Sequence, residues 1–205
     1  MRGVFITFEG SEGCGKSTQS LMLAEFLKSQ GREVVYVREP GGTLISEKIR
    51  AILLDAKHDG MSGECEMLLY MAARAQIIAE VIEPALKKGA VVICDRFLDS
   101  TLAYQGYGLG MELDFIGRVG GFATRAIHPD LTILMDLPVE AGLKHREAAK
   151  DRIEQRPLAY HNKVREGYLA LAKNEPGRIK IVKVEKEKEK TQKKIQQLVE
   201  KVIIA

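Results

Sequence analysis

Five short apolar runs punctuate the chain: Val4–Phe8, Glu33–Val37, Ala90–Cys94, Leu131–Met135 and Ile179–Val184. Most are rich in valine and isoleucine without clean alternation, the pattern of strands buried on both faces of a parallel sheet. Helical spacing fills the gaps. Ser17–Gln30 sets Leu21, Ala24 and Leu27 on one stripe, and Gly31 ends it. Cys65–Lys88 is a longer helical stretch, expected to kink or restart at Pro84. The tail Glu185–Gln197 is dense in lysine and glutamate. Its signs alternate, and Ile195, Leu198 and Val202 give an apolar stripe, so it reads as a solvated final helix, not a nucleic-acid tail. Strand–helix alternation of this kind predicts a doubly wound α/β fold. With no internal repeat and no linker, residues 1–205 are expected to form one domain.

Composition leaves that reading in place. A length of 205 residues suits one α/β domain, and 45% hydrophobic with 29% charged residues is ordinary for a soluble globular chain. The net charge of +3 comes from 31 basic and 28 acidic residues. No basic run interleaved with aromatics suggests a nucleic-acid partner. The three cysteines, at 14, 65 and 94, have no metal-ligand spacing, and their odd number argues against a disulfide framework. The first strand begins too early for a signal peptide, and no apolar run is long enough to span a bilayer. A cytoplasmic protein with no membrane partner is expected.

The candidate chemistry starts directly after the first strand. Gly10-Ser11-Glu12-Gly13-Cys14-Gly15-Lys16-Ser17 matches the phosphate-binding pattern G-x-x-x-x-G-K-[ST] in full, between a strand and a helix. Glycines at 10, 13 and 15 let the backbone curl so that successive N–H groups converge on one anion. The following helix adds its positive end. Lys16 can reach outer phosphates, the Ser17 hydroxyl can join a magnesium shell, and Thr18 completes the nucleotide-binding set. The chain is expected to bind a nucleoside triphosphate.

Such a loop serves switches, motors and kinases alike. No N-K-x-D guanine-reading motif is present, since Asn162-Lys163-Val164-Arg165 lacks the aspartate. In Val91-Val92-Ile93-Cys94-Asp95-Arg96-Phe97 an acid ends a buried strand, at the ligand-binding edge of an α/β sheet. Asp95 there can hold magnesium through water, and Arg96 can pair bidentately with a phosphate monoester. The basic segment Gly142–Arg156 carries Lys144, Arg146, Lys150, Arg152 and Arg156. It reads either as a lid closing over phosphates, excluding water and supplying an arginine, or as a charged solvated helix.

At Asp95–Gly106 the chain reads Asp-Arg-Phe-Leu-Asp-Ser-Thr-Leu-Ala-Tyr-Gln-Gly. Together with the phosphate loop, Arg38-Glu39-Pro40-Gly41-Gly42-Thr43, Tyr70-Met71-Ala72-Ala73-Arg74 and Asp151-Arg152-Ile153-Glu154-Gln155, this string closely resembles the bacterial thymidylate kinases. The resemblance implies a P-loop, three-layer αβα fold with a five-stranded parallel sheet and a short lid at about 142–156. It implies phosphorylation of dTMP to dTDP with ATP and Mg2+, by direct in-line transfer, in a homodimer to which the stretch Leu68–Ile82 contributes. Position by position, Glu12 matches the acid that approaches the sugar 3′-hydroxyl, and Arg38 and Arg96 match arginines around the acceptor phosphate. Tyr70 corresponds to the aromatic that stacks on thymine, and Arg74, one turn on, to the arginine that addresses the base. Ser100 and Thr101 fall at the base edge, Tyr104 matches the aromatic crowding the 2′ position, and Gln105 follows it. Glu39–Pro40 matches a bond held cis. Some relatives carry an arginine where this chain has Gly13, so the lid is expected to supply the transition-state cation, Arg152 first and Arg146 second. The rival readings are a kinase for another nucleoside monophosphate and a nucleotide-dependent switch.

Overall fold

The computed structural model describes residues 2–144 and 151–203. Its centre is a five-stranded, all-parallel sheet of order β2-β3-β1-β4-β5, with β1 at Phe5–Glu9, β2 at Val34–Arg38, β3 at Val91–Asp95, β4 at Leu131–Asp136 and β5 at Ile179–Lys183. The first three strands each begin one residue later than the apolar runs suggest. Hydrogen bonding to a neighbour, not hydropathy, sets the strand end, and this brings Glu9, Arg38 and Asp95 into the ladder.

Helices cover both faces. Alternate residues of the central strands serve the two layers: Ile6 and Phe8, Val91 and Ile93, and Leu131 and Ile133 pack with Leu23, Leu27, Ile195 and Val199. These last come from α1, Lys16–Ser29, and from α9, Lys188–Ile203, the solvated final helix of the sequence reading. The opposite parity, Phe5, Val92 and Cys94, packs with Ile77, Ile78 and Ile82. Between these stand α2, Leu44–Leu54, α3, Gly63–Ile77, and α4, Glu83–Lys87. Thr43 caps α2 by accepting from Ser46 N at 3.1 Å, and Ser62 caps α3 by accepting from Cys65 N at 3.2 Å.

The long stretch before β3 is interrupted at Ile78–Ile82, a π-helical turn, just before Pro84. Pro84 has no N–H for the carbonyl four residues back and its ring crowds that carbonyl, so the ladder loosens one turn ahead of the proline. A second π segment, Leu102–Gly108, extends α5, Leu98–Thr101. The remaining helices are α6, Leu113–Ala123, α7, Val139–Lys144, and α8, Leu158–Asn174. The lid expected at 142–156 thus comprises the end of α7, residues 145–150, which lie outside the described residues, and a run of bends and turns at 151–156.

Candidate active site

The carboxyl-terminal ends of β1, β2 and β3 meet at one edge of the sheet, where a cavity of about 400 Å3 opens. The phosphate loop leaves β1 there and runs into α1. Gly10, Gly13 and Gly15 have φ of 138°, 70° and 87°, conformations open to glycine at no steric cost. Glu12, Gly13, Gly15, Lys16, Ser17 and Thr18 line the cavity, while Gly10, Ser11 and Cys14 do not reach its wall. Lys16 Nζ crosses back over the loop, donating to the carbonyls of Gly10 and Ser11 at 2.9 and 2.8 Å. Gly13 also needs its lack of a side chain for room: a Cβ there would stand 2.0 Å from the Gly142 carbonyl oxygen of α7. An arginine at 13 is therefore excluded by the way the loop and α7 touch.

The second wall comes from the end of β3. Asp95 shares the strand face of Val91 and Ile93, which points toward α1, and Ser17 Oγ donates to its Oδ2 at 2.5 Å. Arg96 follows with φ at 71°, left-handed for an L residue. That turn swings its guanidinium across the phosphate loop. Nη2 donates to Glu12 Oε1 at 2.5 Å and to Tyr104 Oη at 3.1 Å, and Nη1 to Ser100 Oγ, Tyr168 Oη and the Gly10 carbonyl at 3.2, 3.2 and 3.3 Å. Burial opposes its charge, but Glu12, the two tyrosines and Asp95 outweigh that, so the pKa rises and Arg96 stays cationic. Burial pushes the Tyr104 phenol well up, so it remains a neutral donor, and it gives Glu12 Oε1 a hydrogen bond of 2.7 Å.

The far wall is built by β2, α2, α3 and the π segment after α5. Arg38 lines the cavity with its guanidinium on Glu47 at 3.1 and 3.2 Å. The Glu39–Pro40 bond is cis. Tyr70, Thr101, Tyr104 and Gln105 face the same space. Arg74, one turn after Tyr70, is not a surface residue at 1% exposure, nor does it reach the cavity wall. Nε donates to Glu39 at 2.8 Å, Nη1 to Thr101 Oγ1 at 3.0 Å and Nη2 to the Phe97 carbonyl at 2.9 Å. It ties three segments of the wall together. Burial pushes Glu39 up to about 7 against the pull of Arg74, and its Oε1 has no partner among the described residues.

Arg152 is brought elsewhere. Its guanidinium is buried, with Nη2 on Glu66 Oε2 at 2.5 Å and Nε on the Leu53 carbonyl at 3.1 Å, while Asp151, Ile153 and Glu154 face the cavity in its place. Arg156 and Gln105 reach the same carboxylate, each at 2.7 Å. Where a phosphate contact is expected of Arg152, the side chain here lies under the wall, held by a buried glutamate with three donors. Arg146 lies outside the described residues.

Sequence reasoning missed Arg50, which lines the cavity from α2 and donates to the Pro40 carbonyl at 2.9 Å. It also missed Glu9, Glu66 and Tyr168. None sits in a short motif with a chemical signature. What marks them is burial of a charge or hydroxyl beside the site, which only the tertiary fold creates.

A family model, Thymidylate kinase, matches residues 8–195. Among curated proteins, the thymidylate kinase of Geotalea daltonii is 52% identical over 189 residues, covering 88% of each chain. That of Symbiobacterium thermophilum is 48% identical over 201 residues, covering 98% of this chain and 94% of its own. The crystal structure of the thymidylate kinase from Ehrlichia chaffeensis superposes with a TM-score of 0.82 at 32% identity, over 97% of this chain and all of that one.

Proposed function

This chain belongs to the thymidylate kinase family, and from that premise we propose that it transfers the γ-phosphoryl group of ATP to the phosphate of dTMP, giving ADP and dTDP, with the cavity residues in the following roles. One observation carries the assignment of roles: the phosphate loop and the arginine- and tyrosine-lined wall bound a single cavity, with Arg96 and Glu12 paired where they meet.

ATP takes the loop end, its phosphates cradled by the N–H groups of residues 13–18 and by Lys16. dTMP takes the far end. Tyr70 stacks on the base, Thr101 and Gln105 address its edge, and Arg74 sets the position of Thr101. Arg38, Arg50 and Arg96 surround the acceptor phosphate, where fixed guanidinium forks suit a dianion. Glu12 accepts from the sugar 3′-hydroxyl, and the Tyr104 ring fills the space a 2′-hydroxyl would need. The acceptor is already an anion, so no strong general base is required. Rate comes from alignment and charge neutralisation by Lys16, Arg96 and a cation from the lid, for which Arg146 replaces Arg152 as the first choice.

Mg2+ fits the remaining groups. Ser17 Oγ and Asp95 Oδ2 are paired oxygens on the loop side of the cavity, and among the described residues no cluster of three or more His, Cys, Asp or Glu forms a metal site. Such a sparse set suits an ion that keeps waters and takes its other ligands from phosphates. Ser17 and Asp95 would hold it, directly or through water, and it would supply charge neutralisation at the phosphates.

The assembly we propose is a cytoplasmic homodimer. Within Leu68–Ile82, Met71, Ile77, Ile78 and Ile82 are spent on the subunit's own core, leaving Leu68. The larger apolar exposure is Leu44 and Ile45 on α2 and Phe115 and Phe122 on α6, helices that both pack on α3. Light scattering on a sizing column checks this, and a monomer at micromolar concentration overturns it. No helix among the described residues is long and apolar enough to cross a membrane.

The test of function is an ADP-release assay with ATP and Mg2+, offering dTMP, dUMP, dCMP, dGMP, AMP and thymidine separately. Turnover with dTMP well above the others is expected. Preference for another monophosphate overturns the base wall and keeps the phosphoryl chemistry, and no response to any acceptor overturns both.

A further inference from the structure

Glu9 ends β1 one residue before the phosphate loop and is fully buried, and none of the roles above uses it. A buried carboxyl is costly unless its lone pairs are satisfied. Here all four acceptor positions are taken. Oε1 accepts from the backbone N–H of Phe97 at 2.7 Å and of Ser100 at 3.3 Å, and Oε2 from Ser100 Oγ at 2.6 Å and Tyr168 Oη at 2.9 Å. Those two hydroxyls stand 2.8 Å apart, and each also accepts from Arg96 Nη1 at 3.2 Å. Glu9 therefore grips the Arg96 turn twice, through the backbone just after it and through the hydroxyls on which its guanidinium rests. The grip has something to hold, since Arg96 is left-handed at φ 71° and such a conformation persists only where its surroundings over-determine it.

We propose that Glu9 is a positioning residue for phosphoryl transfer, setting the direction of the Arg96 guanidinium through the Phe97–Ser100 backbone and the hydroxyls of Ser100 and Tyr168. The proposal rests on the reading of Arg96 as a ligand of the acceptor phosphate. Glu9 touches no substrate. With the hydroxyl protons committed to the carboxyl, the lone pairs of Ser100 and Tyr168 face Arg96, so Nη1 is held against the Gly10 side of the loop and Nη2 stays on Glu12. Burial, then the charge of Asp99, pushes Glu9 up to about 7, against the pull of Ser100, Arg96 and the Phe97 N–H. Glutamine keeps the acceptor for the two N–H groups but turns an amide donor toward the two hydroxyls, whereas alanine loses both grips.

The experiment is steady-state kinetics on Glu9→Ala, Glu9→Gln, Tyr168→Phe, the Glu9→Ala/Tyr168→Phe double variant and Arg96→Lys, with dTMP and ATP varied separately. Expected is a fall of tenfold or more in kcat/KM for dTMP in Glu9→Ala, with KM for ATP within twofold of the parent. Glu9→Gln, which keeps one of the two grips, recovers part of that loss. Tyr168→Phe loses several-fold in the same constant, and the double variant loses little beyond Glu9→Ala, as members of one network do. A merely structural Glu9 would lower the melting temperature and leave the dTMP-to-ATP contrast unmoved, which would overturn the proposal. If Glu9→Ala does not fold, Tyr168→Phe and Glu9→Gln carry the test, and parental dTMP constants in both would overturn it. Arg96→Lys separates the two levels: parental dTMP kinetics there would remove the reading of Arg96, and the proposal with it, whereas a loss there beside inert Glu9 variants would remove the proposal alone.

Discussion

Arg96 keeps a backbone conformation that costs an L residue about 1–2 kcal/mol, and in return its side chain joins Glu12, Ser100, Tyr104 and Tyr168. Conformation and chemistry can be separated there. Arg96→Gly and Arg96→Ala are both expected to lose at least about 100-fold in turnover, as removal of a group aimed at transition-state charge does. The glycine variant should nevertheless be the more stable of the two, by up to about 1 kcal/mol in urea unfolding, because glycine accepts positive φ. An alanine variant equal or superior in stability would contradict the strain. The raised pKa of Glu9 gives a second residue-level prediction. In the unfolded chain its carboxyl titrates near 4.5, and in the folded chain at about 7, so between those values the folded state binds more protons. Its contribution to stability is greatest below about 4.5 and is lost as pH rises to about 7. Unfolding at a series of pH values should show the parent losing stability relative to Glu9→Gln across that window, and parallel curves would place the carboxyl at its ordinary value. The placement of Lys16, Asp95 and Arg96 at the cavity was legible in the sequence because each lies in a short local string at the end of a strand. Glu9 and Tyr168 were not, since 159 residues separate the two partners of one hydrogen bond.

At the scale of elements, strands and helices followed from apolar pattern, and the deviations have local causes. The helix expected over Cys65–Lys88 restarts at Glu83–Pro84, as the proline suggests, but only after a π-helical turn at Ile78–Ile82, because a proline disturbs the carbonyls behind it. The π segment Leu102–Gly108 could not be read from periodicity at all, yet it carries Tyr104 and Gln105 into the cavity. The lid segment shows the limit most clearly. Its basic residues suggested phosphate contacts, but charge pattern says nothing about a carboxylate 86 residues earlier. Glu66 binds Arg152 and Arg156 from α3, the helix that also carries Tyr70, so the foot of the segment proposed as a lid and the Tyr70 side of the cavity share one anchor. Arg152→Met is therefore expected to destabilise by roughly 3 kcal/mol, the cost of removing one partner from a buried pair, and to raise KM for dTMP more than it lowers kcat. Glu66→Ala, which leaves two guanidinium groups without their carboxylate, should destabilise further. Chemical unfolding and dTMP kinetics on both variants check this. A large fall in kcat at parental stability and KM would return Arg152 to the phosphate.

The whole molecule divides its work along the sheet edge. In the order β2-β3-β1-β4-β5, β1 delivers the phosphate loop, β3 beside it delivers Asp95 and Arg96, and β2 delivers Arg38 and the Glu39–Pro40 turn. The two oxygens proposed to hold Mg2+ accordingly fall on the α1 side of the cavity, on Ser17 and Asp95, while Tyr70, Thr101 and Arg50 line the rest of its wall. If the two substrates use these walls as proposed, removal of Mg2+ should act on one alone. With EDTA present, ADP release should disappear, whereas dTMP should still raise the melting temperature. A ligand at 100 times its Kd stabilises by about 2.7 kcal/mol, which for a chain of this length is a shift of roughly 5–10 °C. Thymidine, lacking the group that the arginines hold, should give a much smaller shift. Differential scanning fluorimetry with and without chelator reads both effects in one plate. Loss of the dTMP shift with EDTA would mean that the cation also organises the acceptor wall, and the separation of the two substrates along the sheet edge would have to be abandoned.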